Sequence, residues 1–195
     1  MRVVRIGLLA LAMSATCLRA GYAETTILGT GSAFAAPIYT KWAELQKPST
    51  GIAINYQPSG SSVGQLQMLK GLTDFGASDV PMDDSKLKKA DILQFPTVAG
   101  GYGVIVNIPG IASGQLRFTG AVLADIFMGN IKLWDDARIA NLNPGIALPK
   151  LAISLLYHAG GSGGTYAISR FLAKSSDAWR DRMGVGMTLN WPVGA

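Results

Sequence analysis

An α/β fold built on a parallel sheet is expected from the sequence. Three observations carry this expectation. Short apolar segments run into Gly/Ser-rich turns, and each turn leads into a helix-compatible stretch. In the first half these units follow in the order β-α-β-α-β, which joins neighbouring strands by crossovers and makes them parallel. The composition agrees: the chain is 49% hydrophobic and 15% charged and carries 24 glycines among 195 residues, a mix suited to tight strand–helix connections.

The elements are expected as follows. Residues 1–23 form a signal peptide: Met1-Arg2-Val3-Val4-Arg5 is a basic start, residues 6–18 are mostly apolar, and Ala20-Gly21-Tyr22-Ala23 offers a small-residue cleavage site after Ala23. Export removes Cys17, the single cysteine, together with Arg2, Arg5 and Arg19, so part of the formal net charge of +5 belongs to the leader. Residues 25–28 read as a first strand. Residues 37–46 read as a helix with Pro37 placed early, where its missing N–H costs little, and Lys47-Pro48-Ser49-Thr50-Gly51 reads as its break. Residues 52–56 alternate as a second strand. Ser61-Ser62 caps a helix through Lys70 that Gly71 stops. Residues 74–79 form a short buried-strand pattern ending in Asp79. The glycines of Ala99-Gly100-Gly101-Tyr102-Gly103 suggest a crossing between lobes. Strands are expected at 104–107 and 152–157, and helices at 121–128, 135–142, 166–174 and 177–183. The short run Lys86-Leu87-Lys88-Lys89 follows Asp83-Asp84 and reads as a solvated helix face, and no basic stripe suited to nucleic acid is present.

Chemistry is concentrated in three turns: Gly29-Thr30-Gly31-Ser32-Ala33-Phe34, Ser59-Gly60-Ser61-Ser62 and Gly160-Gly161-Ser162-Gly163-Gly164-Thr165. A helix start presents unpaired N–H groups and the positive end of the helix dipole, and small residues let an oxyanion approach them. Three such starts meeting in one cleft make a cage for a tetrahedral anion. None of the turns matches a P-loop, and the first lacks the third glycine of a dinucleotide fingerprint. Asp79 has two readings. It caps the turn Pro81-Met82-Asp83, or it accepts a hydrogen bond from a protonated oxygen of the anion. In the second case it selects hydrogen phosphate, which keeps a proton at neutral pH, over sulfate, which has none. An enzyme reading rests on Ser162 as nucleophile with His158, the chain's one histidine, four residues away; the spacing does not fit the nucleophile-elbow pattern. With one histidine and no cysteine after cleavage, no metal-ligand cluster is expected.

Five segments carry a resemblance to a known family. Gly29-Thr30-Gly31-Ser32-Ala33-Phe34-Ala35-Ala36-Pro37-Ile38-Tyr39-Thr40-Lys41-Trp42, Asp74-Phe75-Gly76-Ala77-Ser78-Asp79-Val80-Pro81, Gln94-Phe95-Pro96-Thr97-Val98-Ala99-Gly100-Gly101, Val106-Asn107-Ile108-Pro109-Gly110 and Lys132-Leu133-Trp134-Asp135-Asp136 resemble periplasmic phosphate-binding proteins of the PstS type, in collinear order over residues 26–194. The resemblance implies a two-lobed, type II periplasmic-binding-protein-like α/β fold, with a first lobe at 24–98 and a partial second lobe at 99–195. It implies a periplasmic carrier, not an enzyme, that needs no cofactor or metal and passes inorganic phosphate to the membrane subunits of an ABC importer. Ala33 and Phe34 would then offer backbone N–H groups, Ser61 its hydroxyl and N–H, Asp79 the acceptor, and Ser162 and Gly163 donors from the third turn.

The departures from the family pattern are specific. Ala33 replaces a threonine. In the third turn the family pattern is Arg-x-Asp-Gly-Ser-Gly-Thr, and here His158 stands at the arginine, Gly160 at the aspartate and Gly164 at the threonine, unless a one-residue insertion lets Thr165 serve. A guanidinium makes bidentate, permanently charged contacts; losing one such contact costs about 1.5–3 kcal/mol. Protonated His158 would partly substitute, which predicts tighter phosphate binding at mildly acid pH than at pH 8. Family members also continue beyond the Trp-Pro-x-Gly segment, so the second lobe and the segment returning to the first are expected to be incomplete, with marginal stability for the chain alone. Two other readings are held beside this one: a diverged or truncated homologue that binds another oxyanion or no ligand, and a secreted serine hydrolase using Ser162.

Overall fold

The fold was analysed in a computed structural model that describes residues 25–194. The leader expected at 1–23 lies outside the described residues. The α/β architecture with a parallel sheet is present. Strand β1 (Thr26–Gly31) is central, flanked by β2 (Ala53–Gln57) and β3 (Phe75–Ala77), giving the order β2-β1-β3 with both pairings parallel. The register aligns Thr30 with Gln57 and Gly31 with Ala77. All three strands therefore end near one another at the edge of the sheet where ligand chemistry gathers in such folds.

Helix α1 (Ala36–Thr50) connects β1 to β2, and α2 (Ser61–Leu69) connects β2 to β3. The expected break at residues 47–51 is corrected: α1 continues through Pro48 and ends at Gly51, whose φ is 66°. Proline is tolerated there because it lies in the last turn. The hydroxyls of Ser49 and Thr50 donate to the Gln46 carbonyl at 2.9 and 3.1 Å, and the Gly51 N–H closes on the Lys47 carbonyl at 2.9 Å. A short helix α3 (Asp84–Ala90) follows β3.

In the second half the regular elements among the described residues are helices, joined by irregular segments: α4 (Gly120–Phe127), α5 (Ala137–Ala140), α6 (Gly163–Ser175) and α7 (Asp177–Arg182). Thr119, Asp136, Ser162 and Ser176 cap these four through their side chains. The expected helix over 135–142 shortens to α5 because Asp135 and Asp136 enter it as turn and cap. Leu123, Ala124 and Met128 pack with Leu172, Ala173 and Trp179 into one core cluster, and Ile126, Ile131 and Ile139 form a second.

The strands expected at 104–107 and 152–157 are also corrected. Among the described residues neither joins a sheet. The second is held only at its start, by a single antiparallel bridge between Leu133 and Ala152. The apolar pattern of each segment is right for a strand, but a strand needs a hydrogen-bonded neighbour along its length, and beyond that bridge none is supplied among the described residues. Ile105 is consequently 95% exposed and Leu156 82%.

Candidate functional site

Asp79 lies two residues past β3, at the strand C-termini, and three separate turns reach it. The first turn is brought in by Gly31. Its φ is 131°, and a Cβ at that position would collide with the Ala77 carbonyl oxygen. Glycine alone lets β1 lie this close to β3. The next residue, Ser32, is buried. Its N–H donates to the Ala77 carbonyl at 2.9 Å and its hydroxyl donates to Asp79 Oδ1. The Ala35 N–H donates to Ser32 Oγ at 3.3 Å, and the Tyr56 hydroxyl donates to the Ser32 carbonyl at 2.7 Å. Burial, with the charges of Tyr39 and Asp79 adding to it, raises the Tyr56 phenol above its ordinary pKa and keeps it a donor.

The second turn contributes Ser61, the buried first residue of α2. Its Oγ accepts from the Asp79 N–H at 3.1 Å. That contact uses a lone pair, so the hydroxyl proton is left to point elsewhere. The third turn contributes Gly163, the first residue of α6. A Cβ there would overlap Asp79 Oδ2 and lie 2.5 Å from Ser61 Oγ. Ser162 accepts from the N–H groups of Gly164 and Thr165 at 3.1 and 3.4 Å and thereby starts the helix. Its own N–H donates to the Met187 carbonyl at 2.9 Å, and the Ser62 hydroxyl donates to Met187 Sδ at 3.4 Å, which fastens the third turn to the second.

The first, second and third turns thus converge on one carboxylate. Among the described residues none accepts from the backbone N–H groups of Ala33, Phe34, Ser61 or Gly163. Two helix starts, α2 and α6, face the same point, and their dipoles favour an anion there. Of the two readings of Asp79, the local cap is taken by its neighbour. Ser78 Oγ accepts from the Val80 N–H at 3.0 Å and donates to the Val80 carbonyl at 2.9 Å, which leaves the Asp79 carboxylate to the turns.

The other expected site residues are placed less centrally. His158 is exposed, and its Nδ1 accepts from the Gly160 N–H at 3.1 Å. Gly164 and Thr165 spend their N–H groups on the Ser162 cap, and Thr165 is buried. No hydrogen bond joins His158 to Ser162 among the described residues, so the nucleophile–base pair that a hydrolase needs is not assembled. Among the described residues there is also no group of three His, Cys, Asp or Glu side chains able to hold a metal ion, and no helix is long and apolar enough to cross a membrane.

Two participants escape the sequence reading. Ser32 stands next to Ala33, where the family pattern has its hydroxyl residue, and a hydroxyl one position earlier was the available clue. Tyr102 had no clue in local pattern, because it reaches Asp79 from the segment that joins the two halves. Its hydroxyl donates to Asp79 Oδ2 at 3.3 Å, and its ring stacks on Phe34 with centroids 5.6 Å apart.

Comparison with known proteins identifies the family. A family model described as a PBP superfamily domain matches residues 19–188. The phosphate-binding protein PstS of Pasteurella multocida (strain Pm70) is 46% identical over 169 residues, covering 87% of this chain and 49% of that protein. The phosphate-binding protein PstS of Haemophilus influenzae is 41% identical over 169 residues, covering 87% of this chain and 51% of its own length. The chain therefore spans about half the length of the curated relatives it matches. A solved structure from Clostridium perfringens, described as a phosphate ABC transporter substrate-binding protein with bound phosphate, superposes with a TM-score of 0.53 at 18% identity, over 80% of this chain and 55% of that one. At that identity the likeness speaks for the fold.

Proposed function

The chain belongs to the PBP superfamily, and on that premise we propose that it captures inorganic phosphate for an ABC-type importer. The observation that carries the reading is the meeting of Ser32, Ser61 and Gly163 at the Asp79 carboxylate. Backbone donors at Ala33, Phe34, Ser61 and Gly163, with the Ser61 and Ser162 hydroxyls, are suited to the oxygens of a tetrahedral anion. Asp79 is suited to the one oxygen that still carries a proton. Among the described residues no hydrogen bond joins His158, Gly164 or Thr165 to Asp79. The reading involves binding and release without covalent chemistry, and needs no metal or cofactor. On this reading the chain works in the periplasm after cleavage behind Ala23, with lobes at 24–98 and 99–195 and the importer's membrane subunits as partners.

Calorimetric titration tests it. Phosphate should bind saturably at one site, and an activated ester should not be turned over. Absence of a phosphate signal, or hydrolysis abolished by Ser162→Ala, would overturn the proposal.

A further inference from the structure

We propose that Tyr102 sets the phosphate-over-sulfate selectivity of this site, its hydroxyl competing with a protonated oxyanion for Asp79 Oδ2. The inference rests on the phosphate reading above. Asp79 has two oxygens. Oδ1 is committed to the Ser32 hydroxyl, inside the buried first turn. Oδ2 is the oxygen against Gly163, on the side where the third turn arrives. It is therefore the acceptor available to the proton of hydrogen phosphate, and Tyr102 already donates to it at 3.3 Å.

The phenol is held where this competition is persistent. Phe34 stacks on its ring at an interplanar angle of 25°. Gly164 also lies beside the ring, where a Cβ would meet it at 3.3 Å. Tyr102 thus bridges the first turn and the third. Burial and the neighbouring Asp79 push its pKa up to about 12, so it remains a donor at neutral pH. The contact is long for an O–H···O bond and the residue is 53% exposed, so a ligand can displace Tyr102 from Oδ2, at the cost of one modest hydrogen bond. A second consequence follows from charge. A hydroxyl donated to Oδ2 offsets part of the carboxylate's repulsion of a fully ionised anion, which favours sulfate relative to phosphate.

Tyr102→Phe removes the donor and keeps the ring against Phe34 and Gly164. Titrating wild type and variant with phosphate and with sulfate should show the phosphate-to-sulfate affinity ratio rising about three- to tenfold in the variant, the size of one ordinary hydrogen bond. Unchanged melting temperature confirms that the ring packing is intact. A ratio that stays constant or falls in Tyr102→Phe, while wild type binds phosphate, overturns the inference. Failure of wild type to bind phosphate overturns the underlying reading instead, and the two failures are told apart by the wild-type titration alone.

Discussion

Among single residues, Gly163 leaves no room for a side chain in the site. A methyl group there would fall within 2.5 Å of Asp79 Cβ and Ser61 Oγ, closer than any real Cβ contact. Gly163→Ala must push the third turn away from Asp79, so it should abolish phosphate binding and cost about 1–3 kcal/mol of stability from overpacking; calorimetric and thermal titrations read both. The two site phenols give a pH dependence. Below pH 10 both are neutral in the folded and unfolded chain. Above it the unfolded chain loses these protons first, because burial raises Tyr56 and holds Tyr102 at about 12. Stability should therefore fall as pH rises from about 10 towards 12. Tyr102→Phe should make that fall shallower; an unchanged slope in denaturant melts across this range would speak against the assignment. Asp79 was legible as a strand-end acid with two possible jobs. Its release from the local turn was not, because that depends on Ser78 forming both hydrogen bonds with Val80.

Among the elements, the turn-to-helix units were the legible part. The Ser162 cap of α6 and the glycine after α2 act locally and were readable, whereas the expected Ser61-Ser62 cap is corrected: Gly60 is the N-cap of α2 and no side chain caps it, because Ser61 is already the first helical residue and its Oγ accepts from the Asp79 N–H. Where α1 ends was not legible: the proline signal was overridden by hydroxyl and glycine contacts that satisfy the last carbonyls. The α6 cap makes a separate prediction. Ser162→Ala removes the acceptor of two N–H groups, which should cost about 1 kcal/mol of stability and free those groups to compete for the anion. Chemical denaturation should show that loss; no change would mean that water replaces the cap. The segments at 104–107 and 152–157 mark the limit of element-level reading. Their patterns specify strand propensity, while strand formation depends on a partner outside the segment.

Across the whole molecule, the sheet and the helical half meet through the site. Ser62 with Met187, and Gly163 against Asp79, are contacts between them. Meanwhile Ile105, Leu156, Leu93 and Phe95 lie on the surface, and a cavity of about 470 Å³ opens beside Leu155 and Leu156. Exposed apolar area of this kind binds hydrophobic dyes and promotes association. The paired substitution Ile105→Ser and Leu156→Ser should lower dye fluorescence and self-association, and shift stability by no more than about 0.5 kcal/mol, since neither side chain is buried. A large loss of stability instead would show that these side chains are packed in solution. The convergence of the turns also belongs here. The sequence offers three similar turns, and only the β2-β1-β3 order with the α6 start folded against it brings them to one carboxylate.

If backbone donors from three separate turns hold one tetrahedral anion at Asp79, each turn must respond to the same binding event. Amide nitrogen–proton correlation spectra recorded during a phosphate titration read that response residue by residue. The Ala33, Phe34, Ser61 and Gly163 signals should shift together along one saturating curve. Shifts confined to a single turn, or gathered at residues remote from Asp79, would refute the shared site.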